Sequence, residues 1–247
     1  MKRNLGATIL LLATSLVSAF AWQSPAAAGD RAILDITGYS RDLRYFVYEE
    51  YGEMDGVGLA YSSIYVVDLT TGEFVGGSPF RAEADEDAQQ SIAEMRAKAH
   101  DAAKAEIATL DVIFPGDIEA LSGDGVIGPA TTMRFGLPAY TPPGATEGDY
   151  TLSLETFPLP LSDTCKERID DRGQGFALSI TGDGPKRELH RDVTLPEWRG
   201  CPTDYRLYAV VMPHEEGNLS NGVAIVSAYP FDFEGSSRRF VVVPIGE

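Results

Sequence analysis

Short runs rich in aromatic and β-branched residues, each closed by Gly, Pro or Asp within about ten positions, constrain the fold of this chain more than any other feature. They cover Ala32 to Thr37, Leu43 to Tyr51 and Tyr61 to Leu69, then Tyr150 to Phe157, Phe176 to Thr181, Tyr205 to Met212, Val223 to Tyr229 and Phe240 to Ile245. Each run has the length of a strand. The turn Asp68-Leu69-Thr70-Thr71-Gly72-Glu73 carries the polar residues and Gly of a hairpin with a bulged three-residue loop, returning through Phe74 and Val75. One stretch has a different period. Between about Ala84 and Leu110, the residues Ala88, Ile92, Met95, Ala99, Ala103, Ile107 and Leu110 recur at helical spacing with no Gly or Pro between them. Asp85, Glu86 and Asp87 then fall where the positive end of a helix dipole favours anions, and Lys104 lies near the other end. The predicted class is mainly β (α+β), with antiparallel sheets and one long amphipathic helix.

Gly and Pro concentrate between Phe114 and Pro143, which reads as turns and extended segments joining two halves. The first half, residues 29–113, holds a sheet and the helix; the second, 145–247, holds a sheet and both cysteines. Ahead of them, Met1-Lys2-Arg3-Asn4, an apolar run from Leu5 to about Ala21 and the small residues Ala26-Ala27-Ala28 make the pattern of a secretory signal peptide. Cleavage is expected after Ala28, with Ala19-Phe20-Ala21 as a second site. Removing residues 1–28 leaves 18 Lys and Arg against 37 Asp and Glu, a net charge of −19. A nucleic-acid partner is excluded on that ground, since phosphate binding draws on Lys and Arg. No later segment is apolar enough over its length to span a bilayer. Cys165 and Cys201 are the only cysteines, and in an oxidising compartment they are expected to form a disulfide. The expected location is periplasmic or secreted.

Motifs of catalysis are incomplete. Gly77-Ser78-Pro79 and Gly235-Ser236-Ser237 lack the frame of a nucleophile elbow. His100, His190 and His214 each read as surface or hydrogen-bonded histidines. Neither a zinc motif nor an EF-hand spacing is present, and no cofactor is implied. Glu49, Glu50, Glu53 and Asp55 are dense enough to suggest a loose Ca²⁺ site, but strand alternation sends Glu49 and Glu50 to opposite faces. A solvated acidic surface is the reading preferred for them.

The stretch Gly38-Tyr39-Ser40-Arg41-Asp42-Leu43-Arg44-Tyr45-Phe46-Val47-Tyr48-Glu49-Glu50-Tyr51-Gly52, with Tyr61 to Leu69 and the later Phe233-Glu234-Gly235-Ser236-Ser237-Arg238-Arg239-Phe240-Val241, resembles the DUF2259 family of predicted secreted bacterial proteins. The resemblance implies export and supplies no reaction. The first stretch is also similar to one blade of a TolB-type propeller, with Leu43 where that pattern has Gly; a closed propeller needs about four blades or more.

What remains is a surface for binding. Tyr39, Tyr51, Tyr61 and Tyr65 with Glu49, Glu50 and Asp55, joined by Glu234, Arg238 and Arg239 near the carboxyl end, are the candidate binding residues. The expected function is a non-catalytic binding module of the cell envelope, its partner an envelope protein or a glycan. The alternative is a carboxylate-based hydrolase of envelope glycans using two of Glu49, Glu50, Asp55 and Glu234, a chemistry that needs two carboxyls about 5–9.5 Å apart across a pocket.

Overall fold

The computed structural model describes residues 29–246, apart from 55, 124, 126, 140, 183, 215–217, 233 and 234. The expected leader and its cleavage sites lie outside the described residues, as do Asp55 and Glu234.

Three antiparallel sheets are stacked, and a helix covers one outer face. The first sheet has the order β4-β3-β2-β1-β6, from β1 (Ile33–Ser40), β2 (Tyr45–Met54), β3 (Leu59–Asp68), β4 (Glu73–Phe74) and β6 (Val112–Phe114), with β5 (Phe80–Glu83) also on β3. The middle sheet runs β14-β13-β12-β7, from β7 (Gly116–Leu121), β12 (Pro202–Pro213), β13 (Val223–Pro230) and β14 (Arg239–Pro244). The third runs β11-β10-β9-β8, from β8 (Thr132–Pro138), β9 (Thr146–Pro158), β10 (Gln174–Thr181) and β11 (Arg187–Arg191).

The middle sheet is buried on both faces, which explains its unbroken apolar runs. Ala209, Val211, Val223, Ile225, Phe240 and Val242 pack on Tyr39, Phe46, Tyr48 and Tyr65 of the first sheet. Leu207, Val210, Met212, Ala224, Val226, Val241 and Val243 pack on Leu152, Phe176 and Leu178 of the third. Leu207 and Ala209 differ by two positions yet face opposite ways. A bulge between them shifts the pairing of β12 with β13 and so exchanges the two faces. A similar irregularity between Ile36 and Gly38 bends β1, and at Gly38, with φ +132°, a side chain would strike the Phe114 carbonyl.

Helix α1 (Ile92–Thr109) begins later than its periodicity predicts. Ser91 accepts from the Glu94 backbone N–H while Glu94 reaches back to the Ser91 N–H, so a capping box fixes the start there. Asp85–Asp87 therefore precede the helix and do not sit on its dipole. Met95, Ala99 and Ala103 are its buried residues. Small side chains contribute little burial each, and the helix has a second anchor: the buried Glu49 carboxylate accepts from Ser62 at 2.7 Å and from Arg96 Nη2 at 2.7 Å, with His100 Nε2 at 3.1 Å. Arg96 also bonds Asp35 and lies over the Tyr51 ring, 4.1 Å from its centre.

Two further differences from the sequence reading have local causes. The β3–β4 loop spans four residues, because the Asp68 carboxylate and carbonyl both hold it, accepting from Thr70 and from Gly72 N–H. The Gly- and Pro-rich segment supplies β7 and β8 to two different sheets. Helix α2 (Asp163–Ile169), capped by Ser162, carries Cys165, which is bridged to Cys201.

Candidate functional site

The three sheet orders have one consequence for the surface. β4, β14 and β11 each end a sheet, and all three edges line a single cleft of about 610 Å³. Val241–Pro244 of β14, Phe74 with the 69–73 loop, and Leu189, His190 and Trp198 form its wall. Trp198 meets Phe74 at 5.0 Å between ring centres, tilted by 58°, and Phe74 meets Tyr65 at 5.2 Å, tilted by 46°, so a row of rings runs from the cleft into the core.

Beneath that wall lies a buried charge network. Asp192 accepts from Arg199 Nη1 at 2.8 and 2.9 Å and from the Phe176 N–H at 2.9 Å, and His190 Nε2 is 2.8 Å away. Burial pushes the Asp192 carboxyl up, but these partners outweigh it and hold the carboxyl below its ordinary range. Burial raises the neighbouring Tyr205 hydroxyl to about 12. Arg199 Nε has no hydrogen-bond partner among the described residues.

The residues selected from the sequence are placed elsewhere, and most are internal. Tyr39, Tyr61, Tyr65, Glu49, Glu50 and Arg238 are buried, which corrects the expectation of a solvated acidic and tyrosine-rich surface. The cause is that both faces of the first sheet are covered, one by α1 and the other by the middle sheet. Tyr39 donates to the Val211 carbonyl at 3.1 Å, and Arg238 Nε to the Ala32 carbonyl at 3.0 Å. Tyr51 is half-buried under Arg96.

Four of the selected residues do converge. Arg239 Nη2 donates to Asp30 at 2.5 Å and its Nη1 to the Tyr61 hydroxyl at 3.1 Å, while Tyr61 donates to Asp30 at 2.8 Å. Glu50 accepts from the Phe240 N–H at 2.5 Å and from Tyr65 at 3.3 Å. This cluster fastens residues 30–32 and the start of β14 to the first sheet. It is a tie between elements, enclosed by them. Glu49 and Glu50 do lie on opposite faces of β2, Glu49 toward α1 and Glu50 toward β14.

Burial raises Glu50 to about 7, although the Arg239 charge and the Phe240 N–H pull against it. Between its ordinary value of 4.5 and about 7 the unfolded carboxyl is ionised while the folded one keeps its proton. Folding then binds a proton, so stability falls as pH rises through that window and levels off above it. Glu50→Gln is expected to remove this slope and to stabilise the protein near pH 8 by up to about 3 kcal/mol. Denaturant unfolding of both proteins near pH 5 and pH 8 checks it; an identical pH dependence would refute the assignment.

The cleft residues Trp198, His190, Asp192 and Arg199 were not among the selected ones. One signal was available: Trp198 is the single Trp after residue 28. Asp192 stands in a charged segment with Arg187, Glu188 and Arg191, and only the tertiary fold buries it with Arg199.

Fold and cleft together define a helix-backed stack of three antiparallel sheets with an open, ligand-sized groove where the sheet edges meet. Residues 47–246 match the family model described as predicted secreted protein (DUF2259), and the chain belongs to that family. No curated protein and no solved structure matches the chain. Among the described residues no helix is long and apolar enough to cross a membrane.

Proposed function

We propose that this is an exported binding protein of the cell envelope, and that it binds its ligand in the cleft over β14. The observation carrying the proposal is the convergence of three sheet edges on one concave groove, whose lining sets Phe74, Leu189 and Trp198 among polar and charged side chains. Residues 29–247 act as one unit in this reading, because the middle sheet shares a core with each of the others. The Cys165–Cys201 bridge fits an oxidising compartment such as the periplasm. Opposed and separately bonded, Glu49 and Glu50 favour a binder over a carboxylate hydrolase.

Trp198 makes the test direct, because fluorescence of the chain without its leader reports on the cleft alone. Soluble peptidoglycan fragments and peptides released from envelope proteins are titrated separately. A saturable change in emission, lost in a variant whose cleft is blocked by Leu189→Arg, is expected for one of them. No change with either probe, or a change that Leu189→Arg leaves intact, would refute the site.

A further inference from the structure

We infer that the cleft binds an uncharged sugar, recognised through its hydroxyls. The inference rests on the cleft being the binding site and goes on to name the class of its ligand. Its ground is that the cations of the lining are already engaged. Arg44 bonds Asp68 through Nε at 3.1 Å and Nη2 at 2.6 Å, and Arg191 bonds Glu188 through Nε at 2.9 Å and Nη2 at 2.8 Å. Arg199 is paired with the buried Asp192, which also meets His190. Arg187 donates from Nη1 and Nη2 to the carbonyls of Gly246 and Ile245.

Net charge therefore does not select the ligand. The lining holds Arg44, Arg187, Arg191 and Arg199 with Glu73, Glu188 and Asp192, and Asp68, the partner of Arg44, brings the carboxylates to the same number. An anion would have to take a guanidinium from Asp68, Glu188 or Asp192, and would approach a chain of net charge −17. A cation would meet the same carboxylates already neutralised. Glu73, which has no ion pair among the described residues, is balanced by Arg187, which is bonded only to carbonyls.

What these pairs leave is a set of fixed donors and acceptors. Arg44, Arg191 and Arg187 each use two of their three nitrogens, so among the described residues Nη1 of Arg44, Nη1 of Arg191 and Nε of Arg187 have no partner. His190 likewise spends Nε2 on Asp192 and keeps Nδ1. On the acceptor side, both bonds from Arg191 go to Oε2 of Glu188, which leaves Oε1. A guanidinium already held by a partner keeps its remaining N–H groups in place, so little ordering is left for the ligand to bear. A hydroxyl donates and accepts at once, and this wall offers it both. Phe74, Leu189 and Trp198 in the same lining supply apolar contact for the C–H groups of a sugar ring. The cleft volume of about 610 Å³ lies within the range of about 300–1,000 Å³ usual for small-ligand sites.

The experiment titrates the protein without its leader with tetrasaccharides that differ in charge, following Trp198 emission and the heat of binding. The neutral probes are tetramers of N-acetylglucosamine, of β-linked glucose and of α-linked glucose; the cationic probe is the glucosamine tetramer and the anionic one the galacturonic acid tetramer. At least one neutral tetramer is expected to saturate, with an affinity that changes less than about twofold between low salt and about 0.5 M salt, since no charge is there to be screened. Both charged tetramers are expected to bind at least about tenfold more weakly at the higher salt, as the desolvation of a charge without a free partner implies. Leu189→Arg is expected to abolish the response; the charge series uses the unaltered protein, so the inference stays testable if that variant does not fold. A charged tetramer that binds more tightly than every neutral one, or a neutral affinity that falls steeply with salt, would overturn the inference. Peptides released from envelope proteins that change Trp198 emission where no tetrasaccharide does would keep the site and overturn the sugar, whereas silence from every probe would remove site and sugar together.

Discussion

Asp192→Ala is expected to destabilise the protein by about 3–5 kcal/mol, because it leaves a guanidinium charge in the interior without its partner. The side chains of Arg199 and Asp192 are only 5% and 2% exposed, so water cannot take over the lost contacts. The Phe176 N–H loses its acceptor in the same step. Set against a usual stability of about 5–15 kcal/mol, that is a large fraction. Adding Arg199→Met to Asp192→Ala is expected to recover part of the loss, since the second substitution removes the stranded charge while filling similar volume. Urea unfolding of wild type and both variants decides; a double variant weaker than the single one would refute the account. The linkage has a definite sign. Asp192 is depressed in the folded state, so its contribution is present above its unfolded value, about 4, and is lost as pH falls through the lower folded value. That trend opposes Glu50, whose raised carboxyl favours folding toward lower pH.

Removing the bridge by Cys165→Ser with Cys201→Ser is expected to cost about 4 kcal/mol in the chain-entropy model. The closed loop has a sequence separation of 36 residues. For a chain of this size the loss corresponds to a fall in Tm of roughly 10 °C. The bridge also centres a small cluster, Leu161, Cys165, Ile169 and Cys201 with Leu195 and Phe231, separate from the main cores. Loss of order should therefore begin at α2, whose amides are expected to exchange faster while those of β12 and β13 stay protected. Calorimetry with and without reductant, together with hydrogen exchange, tests both statements. A Tm unchanged by reductant, or free thiols in the native protein, would refute the role of the bridge.

These two expectations differ in how far they could be read from sequence. The bridge could: two cysteines in a chain expected to be exported leave one pairing. The Asp192 network could not, because Arg187 to Asp192 looks like any solvated charged segment until Phe176 and Tyr205 are brought over it. The same holds for Glu49 and Glu50. Alternation assigned them to opposite faces of β2, and the structure agrees; that both faces would be covered was not legible, so their burial came as a correction.

Most strands and the long helix were thus set by local chemistry: side-chain period, capping residues and loop composition act over a few neighbours. Which faces were buried, and where the edges of three sheets met, depended on contacts between residues far apart in the chain. Tyr48 with Phe240 and Glu50 with Arg239 are examples. A bulge at Leu207 to Ala209 was enough to exchange the two faces of β12, and no local propensity fixes on which side of such a shift the core will lie. The cleft is made by strand ends and backbone edges, and edges belong to the order of strands, which only the assembled sheets possess.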